Sequence, residues 1–216
     1  MSITVNTLLL ILIVGASVLA WNRQEIMEKW ILNPYRVVAG KEYFRVITSG
    51  FIHADVIHLV FNCYVLYGFG EMAETIFSGQ TKLGSYYGDY GHIMYALLFL
   101  SGVIVSDIPT ILKHRNNPGY NSLGASGGVS AIVFAFIFIY PLGDLGLIFL
   151  PGIRIPGFIF GSLYLVYSHV QARRNSGRIN HDAHFYGAVW GILFVAVTNP
   201  ESISMFVQQI SYWINS

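Results

Sequence analysis

Three groups of side chains have the types and spacing for acyl transfer, and each lies on a different apolar stretch. The first is Ser126, in Gly124-Ala125-Ser126-Gly127-Gly128, at the threshold of an apolar run from Val129 to Leu142. A serine hydroxyl is a weak nucleophile unless a neighbouring base takes its proton. The second is His184, which opens His184-Phe185-Tyr186-Gly187 and is followed by Gly191. Imidazole, with an unperturbed pKa of ~6.5, is the usual base for such work. The third is His53, His58 and Asn62. His58 and Asn62 are four apart and share one face of a helix. An Asn amide, an imidazole and the Ser126 backbone N–H are donors suited to a tetrahedral oxyanion, each contributing on the order of 3–4 kcal/mol to lowering the barrier.

The glycines around these residues also have a packing use. Gly127, Ala131 and Ala135 repeat every four residues, as do Gly187 and Gly191. Smooth faces of this kind let two membrane helices approach closely. Packing one face on the other brings His184 and Ser126, each at the start of its helix, together. His53 and His58 are five apart, roughly 140° around a helix of 3.6 residues per turn. That splay argues against a metal site, and neither a metal nor another cofactor is expected.

The elements that must position these groups are membrane spans. Of 216 residues, 54% are hydrophobic and 11% charged, far below the ~25% charged of soluble domains, and mean hydropathy is +0.56. The balance of 12 basic and 11 acidic residues gives no sign of nucleic-acid binding. The lone Cys63 excludes an intramolecular disulfide and reads as a small apolar residue. Apolar runs of spanning type are Val5–Trp21, Val56–Ile76, His92–Pro109, Gly127–Tyr140, Leu145–Val170 and His184–Thr198. They are too long and continuous for barrel strands. The expected fold is all-α, a polytopic bundle of six transmembrane helices in one domain over residues 1–200. A short amphipathic tail, 201–216, with Ile203, Phe206, Val207, Ile210, Trp213 and Ile214 at helical spacing, is expected on the membrane surface. Met1–Thr4 carries no Lys or Arg, so the first run reads as a retained span rather than a signal peptide.

Between the spans, Asn22 to about Ala54 mixes charges with Trp30, Tyr35, Tyr43 and Phe44, a pattern for a structured loop partly in the interface. Glu71 and Glu74 close the second span. The third reads as scaffold without an interior ionisable group. Lys113 to Gly119 reads as a solvated polar turn, and Asp182 as a loop charge, two residues from His184 and off its helical face. Pro151, Gly152, Pro156, Gly157 and Gly161 mark the fifth span as the most deformable, with its first part a loop or broken helix.

Taken together, these blocks resemble the rhomboid family of intramembrane serine proteases. Gly124-Ala125-Ser126-Gly127 is similar to the family's Gly-x-Ser-Gly, and His184 to Gly191 to its His-x-x-Gly-x-x-x-Gly helix. His53-x-x-x-x-His58-x-x-x-Asn62 is similar to its second-span motif. Glu42-Tyr43-Phe44-Arg45 resembles a loop signature that usually ends Trp-Arg, and Glu74 stands where the family closes its second span with a glutamate. The resemblance implies Ser126 as nucleophile and His184 as base in a dyad without aspartate, with Asn62, His58 and the Ser126 N–H at the oxyanion. His53, Glu42, Arg45, Glu74, Gly124, Gly127, Gly187 and Gly191 are then motif residues. It implies single-pass or other membrane-anchored protein substrates, contact with membrane lipid, and a gate at the fifth span. The family often has an aromatic residue four positions after the serine to support the imidazole; here that position is Ser130.

Of the twelve Lys and Arg residues, all but Lys82 and Arg154 fall on the serine's side of the membrane. The positive-inside rule places that side in the cytoplasm. The resemblance implies a multi-pass protein of the plasma or inner membrane whose site opens to the extracytoplasmic side, and that is the expectation followed. A rhomboid-like pseudoprotease that binds or chaperones clients is the alternative; the presence of both Ser126 and His184 favours the enzyme. A transporter would need repeats or pore-lining charges. A metalloprotease needs His-Glu-x-x-His, which is missing. Pro141-Leu142-Gly143-Asp144 lacks the first glycine of the aspartyl type.

Overall fold

The structure, a computed structural model, describes residues 3–79, 86–147, 150–174 and 180–215. Its helices are α1 (Val5–Asn22), α2 (Gln24–Trp30), α3 (Pro34–Ala39), α4 (Arg45–Thr48), α5 (Val56–Ser78), α6 (Gly91–His114) and α7 (Ser126–Ile139). An antiparallel hairpin follows, β1 (Asp144–Leu147) and β2 (Leu150–Pro156). The chain ends in α8 (Gly157–Arg174), α9 (His181–Thr198) and α10 (Glu201–Ile214). The molecule is an all-α membrane bundle. Among the described residues, three helices, α1, α5 and α6, are long and apolar enough to cross a membrane; α9 and α10, bent by 113°, make a fourth if taken as one span.

Polarity is distributed as lipid requires. Leu8, Ile11, Leu12 and Val18 of α1 face outward, whereas Asn6, Ser17, Asn62, Ser106 and Ser130 are buried. Polar side chains in such a fold turn to the interior, where partners exist. The centre is α7, buried from Gly127 to Ile137. Around it stand α5, α6 and α9, with α1 against α5 and α8 against α9.

The glycine faces meet as their spacing requires. A Cβ at Gly187 would strike the Gly127 carbonyl, and one at Gly191 the Ala131 carbonyl. Two contacts, each four residues on in both helices, make α7 and α9 parallel neighbours in fixed register.

Three expectations need correction. The run Leu145–Val170 is not one helix: the break expected in its first part takes the form of paired strands, residues 144–147 and 150–156, and α8 begins only at Gly157. Pro151 and Pro156 have no N–H for a helical ladder, and Asp144 instead pairs with Pro156 and Leu145 with Ile155. The third span does hold an ionisable group, since Asp107 is buried within α6. That helix also continues past Pro109 to His114, so Lys113 and His114 are its last turn rather than a loop. Lys82 and Arg178, counted in the charge balance above, lie outside the described residues.

The long first loop is built as α2, α3 and α4 with buried Arg45 at its hub. Arg45 pairs through Nε with Glu42 and donates from Nη1 to the Glu28 and Ile31 carbonyls, both at 2.8 Å. The fixed fork of a guanidinium suits several carbonyls at once. Phe44 lies beneath it, 5.6 Å from the guanidinium carbon to the ring centre.

Candidate active site

The backbone before Ser126 is held by the first loop. Leu32 and Ser122 exchange two backbone hydrogen bonds at 3.0 Å, and the Gly124 N–H donates to the Ser49 carbonyl at 2.9 Å. Asn33 adds bonds from its amide to Pro118 O and Asn121 Oδ1. Gly124 has φ +124°, a conformation that L side chains rarely adopt. A Cβ there would also lie 2.6 Å from the His58 ring, so only glycine lets His58 close over this turn.

His53 sits ahead of α5 and fixes the next residue. The Ala125 N–H donates to His53 Nε2 at 3.3 Å, which makes Nδ1 the protonated nitrogen. That Nδ1–H donates to Ser17 Oγ at 3.0 Å, and the Ser17 hydroxyl passes on to the Phe51 carbonyl at 3.2 Å. Trp21 Nε1 holds the His53 carbonyl at 2.7 Å. Burial, reinforced by nearby His58 and opposed by Asp55, lowers the His53 pKa to about 3. A neutral ring is what this chain of bonds requires. With both nitrogens engaged, His53 has no lone pair to offer a metal.

Ser126 is the first residue of α7. The first bond into the helix runs from Val129 N to Ala125 O at 2.9 Å, so the N–H groups of residues 126–128 precede the helical ladder. They form the positive end of the helix dipole, which favours negative charge beside Ser126. His184 sits in the first turn of α9, one turn ahead of the Gly187–Gly127 contact, whereas Ser126 is one residue ahead of it. The parallel register therefore brings both to the same end of the bundle. His58 and His181 are close enough to interact electrostatically with His184, and the His53 and His58 rings meet edge to face at 4.9 Å. No hydrogen bond joins Ser126 Oγ to His184 among the described residues. In the absence of substrate, catalytic bonds are often long and tighten only in the complex. The Asn62 amide donates one N–H to the His58 carbonyl at 3.0 Å, leaving its second N–H for another acceptor.

Glu74 lies elsewhere, near the far end of α5. Its carboxylate accepts the Val5 and Asn6 N–H groups at 2.9 and 2.7 Å and meets His92 Nδ1 at 2.6 Å. It is the junction of α1, α5 and α6 and does not enter the serine site.

Sequence reasoning missed two residues of the site. Asn180 caps α9 by accepting the Ala183 N–H at 3.1 Å, and its amide donates to Thr110 Oγ1 and Ser122 Oγ. Asn ahead of an apolar run is an N-cap signal and was available. Tyr164 of α8 is the other. Its hydroxyl is 3.1 Å from His184 Nδ1, and the two rings lie nearly parallel, 11° apart in plane. A tyrosine in an apolar run gives no such signal. Asp182 turns away and pairs with Lys113 at 3.3 Å.

Comparison with known proteins identifies the family of the chain. A family model described as "Rhomboid domain" matches residues 40–201. The chain is similar to "RHOMBOID-like protein 12, mitochondrial" of Arabidopsis thaliana, 28% identical over 170 residues, 78% of this chain and 50% of that protein. It is also similar to "Presenilin-associated rhomboid-like protein A, mitochondrial" of Danio rerio, 28% identical over 153 residues, 69% of this chain and 36% of the relative. The Bos taurus "Presenilin-associated rhomboid-like protein, mitochondrial" is 29% identical over 153 residues, 68% of this chain and 36% of the relative. The chain thus spans half or less of the length of these curated relatives.

Proposed function

Since this chain belongs to the rhomboid family, we propose that it is a serine endopeptidase cutting membrane-anchored proteins in or near their transmembrane segments. Ser126 Oγ attacks the scissile carbonyl carbon while its proton passes to His184 Nε2. The carbonyl π electrons move onto oxygen, and the charge meets the Ser126 N–H, the second N–H of Asn62 and the His58 ring. Protonated His184 then gives its proton to the leaving amine as the C–N bond breaks, and water hydrolyses the acyl-serine by the same route. The observation that carries this reading is the register of α7 and α9, which sets Ser126 and His184 at one end of one interface. Each of the three roles comes from a different helix, with no aspartate required.

The protease unit proposed is residues 1–200, with α1, α5, α6, α7, α8 and α9 as six spans. The tail, α10, turns 113° from α9 and lies along the membrane surface, its Phe206 stacked on Phe138 at 5.0 Å. The site opens on the extracytoplasmic side of the plasma or inner membrane. A reporter fused after Ser216 tests that orientation: a tail on the outside overturns it. The activity itself is tested by cleavage of a single-pass model substrate by purified protein in lipid, with Ser126→Ala and His184→Ala alongside. Loss of cleavage in both supports the dyad. A wild-type protein that binds the substrate but leaves it intact overturns the reading in favour of a pseudoprotease.

A further inference from the structure

We propose that Tyr164 of α8 is the positioning residue for His184, taking from a neighbouring helix the role that Ser130 of α7 has no ring to fill. The proposal rests on His184 acting as the base. For that, Nε2 must accept the Ser126 proton, so in the neutral ring Nδ1 bears hydrogen and needs an acceptor. Three groups near His184 have suitable chemistry: His58, His181 and Tyr164. Only the Tyr164 oxygen makes a hydrogen bond to Nδ1, at 3.1 Å, among the described residues. The near-parallel ring planes, with centroids 6.5 Å apart, also limit rotation of the imidazole.

The tyrosine is itself fixed. Phe134 of α7 and Phe160 of α8 lie against its ring at 5.7 and 6.3 Å, and its hydroxyl also lies beside Ser130. A bond from His184 Nδ1–H to Tyr164 Oη leaves the phenolic O–H free to donate onward to Ser130 or Ser168, both beside it. Tyr164 thus stands beside Ser130, and beside Ser168 of its own helix, while its oxygen meets His184. Serine at 130 and tyrosine at 164 are two halves of one arrangement.

The difference from an α7-borne support is mechanical. A ring on α7 would travel with the nucleophile, whereas Tyr164 travels with α8. The outer face of α8, with Leu163, Val166, Tyr167 and Val170, is exposed to lipid. Any displacement of α8 away from α9 removes the acceptor from Nδ1. The base is therefore oriented only while α8 is docked.

The test is Tyr164→Phe, which keeps the ring and removes the oxygen. With a cleavable model substrate, kcat is expected to fall about tenfold to a hundredfold with KM little changed. Fluorophosphonate labelling of Ser126 should slow by the same factor. The swapped pair, Tyr164→Ser with Ser130→Tyr, is expected to recover most of that loss. Unchanged kcat and labelling in Tyr164→Phe overturn the proposal while leaving the dyad intact. A readout independent of activity is 15N NMR of histidine-labelled protein. His184 is expected as a single Nδ1–H tautomer in wild type and as a mixture in Tyr164→Phe. An identical spectrum in both overturns the proposal whether or not the protein cleaves anything; absence of cleavage with the tautomer change leaves it standing and removes only the protease reading.

Discussion

The two ends of α5 both hold buried polar groups, but they are finished in different ways. At the Glu74 end both carboxylate oxygens are used, on two N–H groups of α1 and on His92, and Tyr95 closes the set by donating to Asn6 Oδ1 at 2.8 Å. At the other end valences stay open. The Ser126 hydroxyl has no hydrogen-bond partner among the described residues, the first N–H groups of α7 precede the ladder, and Asn62 uses one of its two amide hydrogens. Both ends are expensive to keep out of water. The first recovers that cost within the fold; the second, on the proposed function, recovers it when substrate supplies the acceptors. Saturation marks the structural junction; open valence marks the chemical one.

The contrast breaks most sharply at Ser126. Ser126→Ala or His184→Ala should lower cleavage by about 10⁴-fold or more while leaving the thermal unfolding midpoint in detergent almost unmoved. A large loss of stability in either would make the serine end structural too. Glu74→Ala should do the reverse. Removing the carboxylate leaves the buried Asn6 N–H and the half-buried Val5 N–H without their acceptor, at about 1–3 kcal/mol for a fully buried group, so denaturation should shift clearly while turnover per folded molecule stays near wild type. Asn62→Ala sharpens the distinction within α5 itself: loss of an oxyanion donor is worth on the order of 10²-fold in kcat, with little change in stability. Equal kcat in that variant would remove Asn62 from the oxyanion set.

The most gradual effect is in pH. The folded pKa of His53, about 3, lies below its unfolded value of ~6.5. The unfolded chain therefore takes up a proton that the folded one resists. This contribution to stability is fully present above the unfolded pKa and declines by about 1.4 kcal/mol per pH unit as pH falls toward the folded one. His53→Gln should flatten that slope in denaturation curves collected between these limits; a slope unchanged from wild type would show that His53 is not the group responsible.

How much of this was legible depended on whether a feature has a one-dimensional signature. Ser126 and His184 were legible because their flanking small residues recur every four positions, the repeat of a helix face, and the structure puts those faces together. Arg45 was legible as a motif residue but not as a hub, because its partners are the Glu28 and Ile31 carbonyls and every residue has a carbonyl. Glu74 is a similar case, its partners being the N–H groups of Val5 and Asn6. The hairpin was hidden by composition: residues 145–150 are apolar enough to extend the following helix, and the prolines suggested a break without giving its form. Asp107 was lost in an apolar run that otherwise reads as scaffold. Tyr164 was beyond reach, because which face of α8 turns to α9 depends on docking.

Glu74 also bears on how the chain is assembled. It is synthesised 68 residues after Asn6, whose N–H it accepts. Among the described residues no other group accepts the Val5 and Asn6 N–H groups, since the Thr4 cap reaches Thr7 alone. The first helix is therefore completed by the arrival of the second long one. Glu74 thus ties the seating of α1 to the presence of α5: the start of one helix is finished by a side chain near the end of the other.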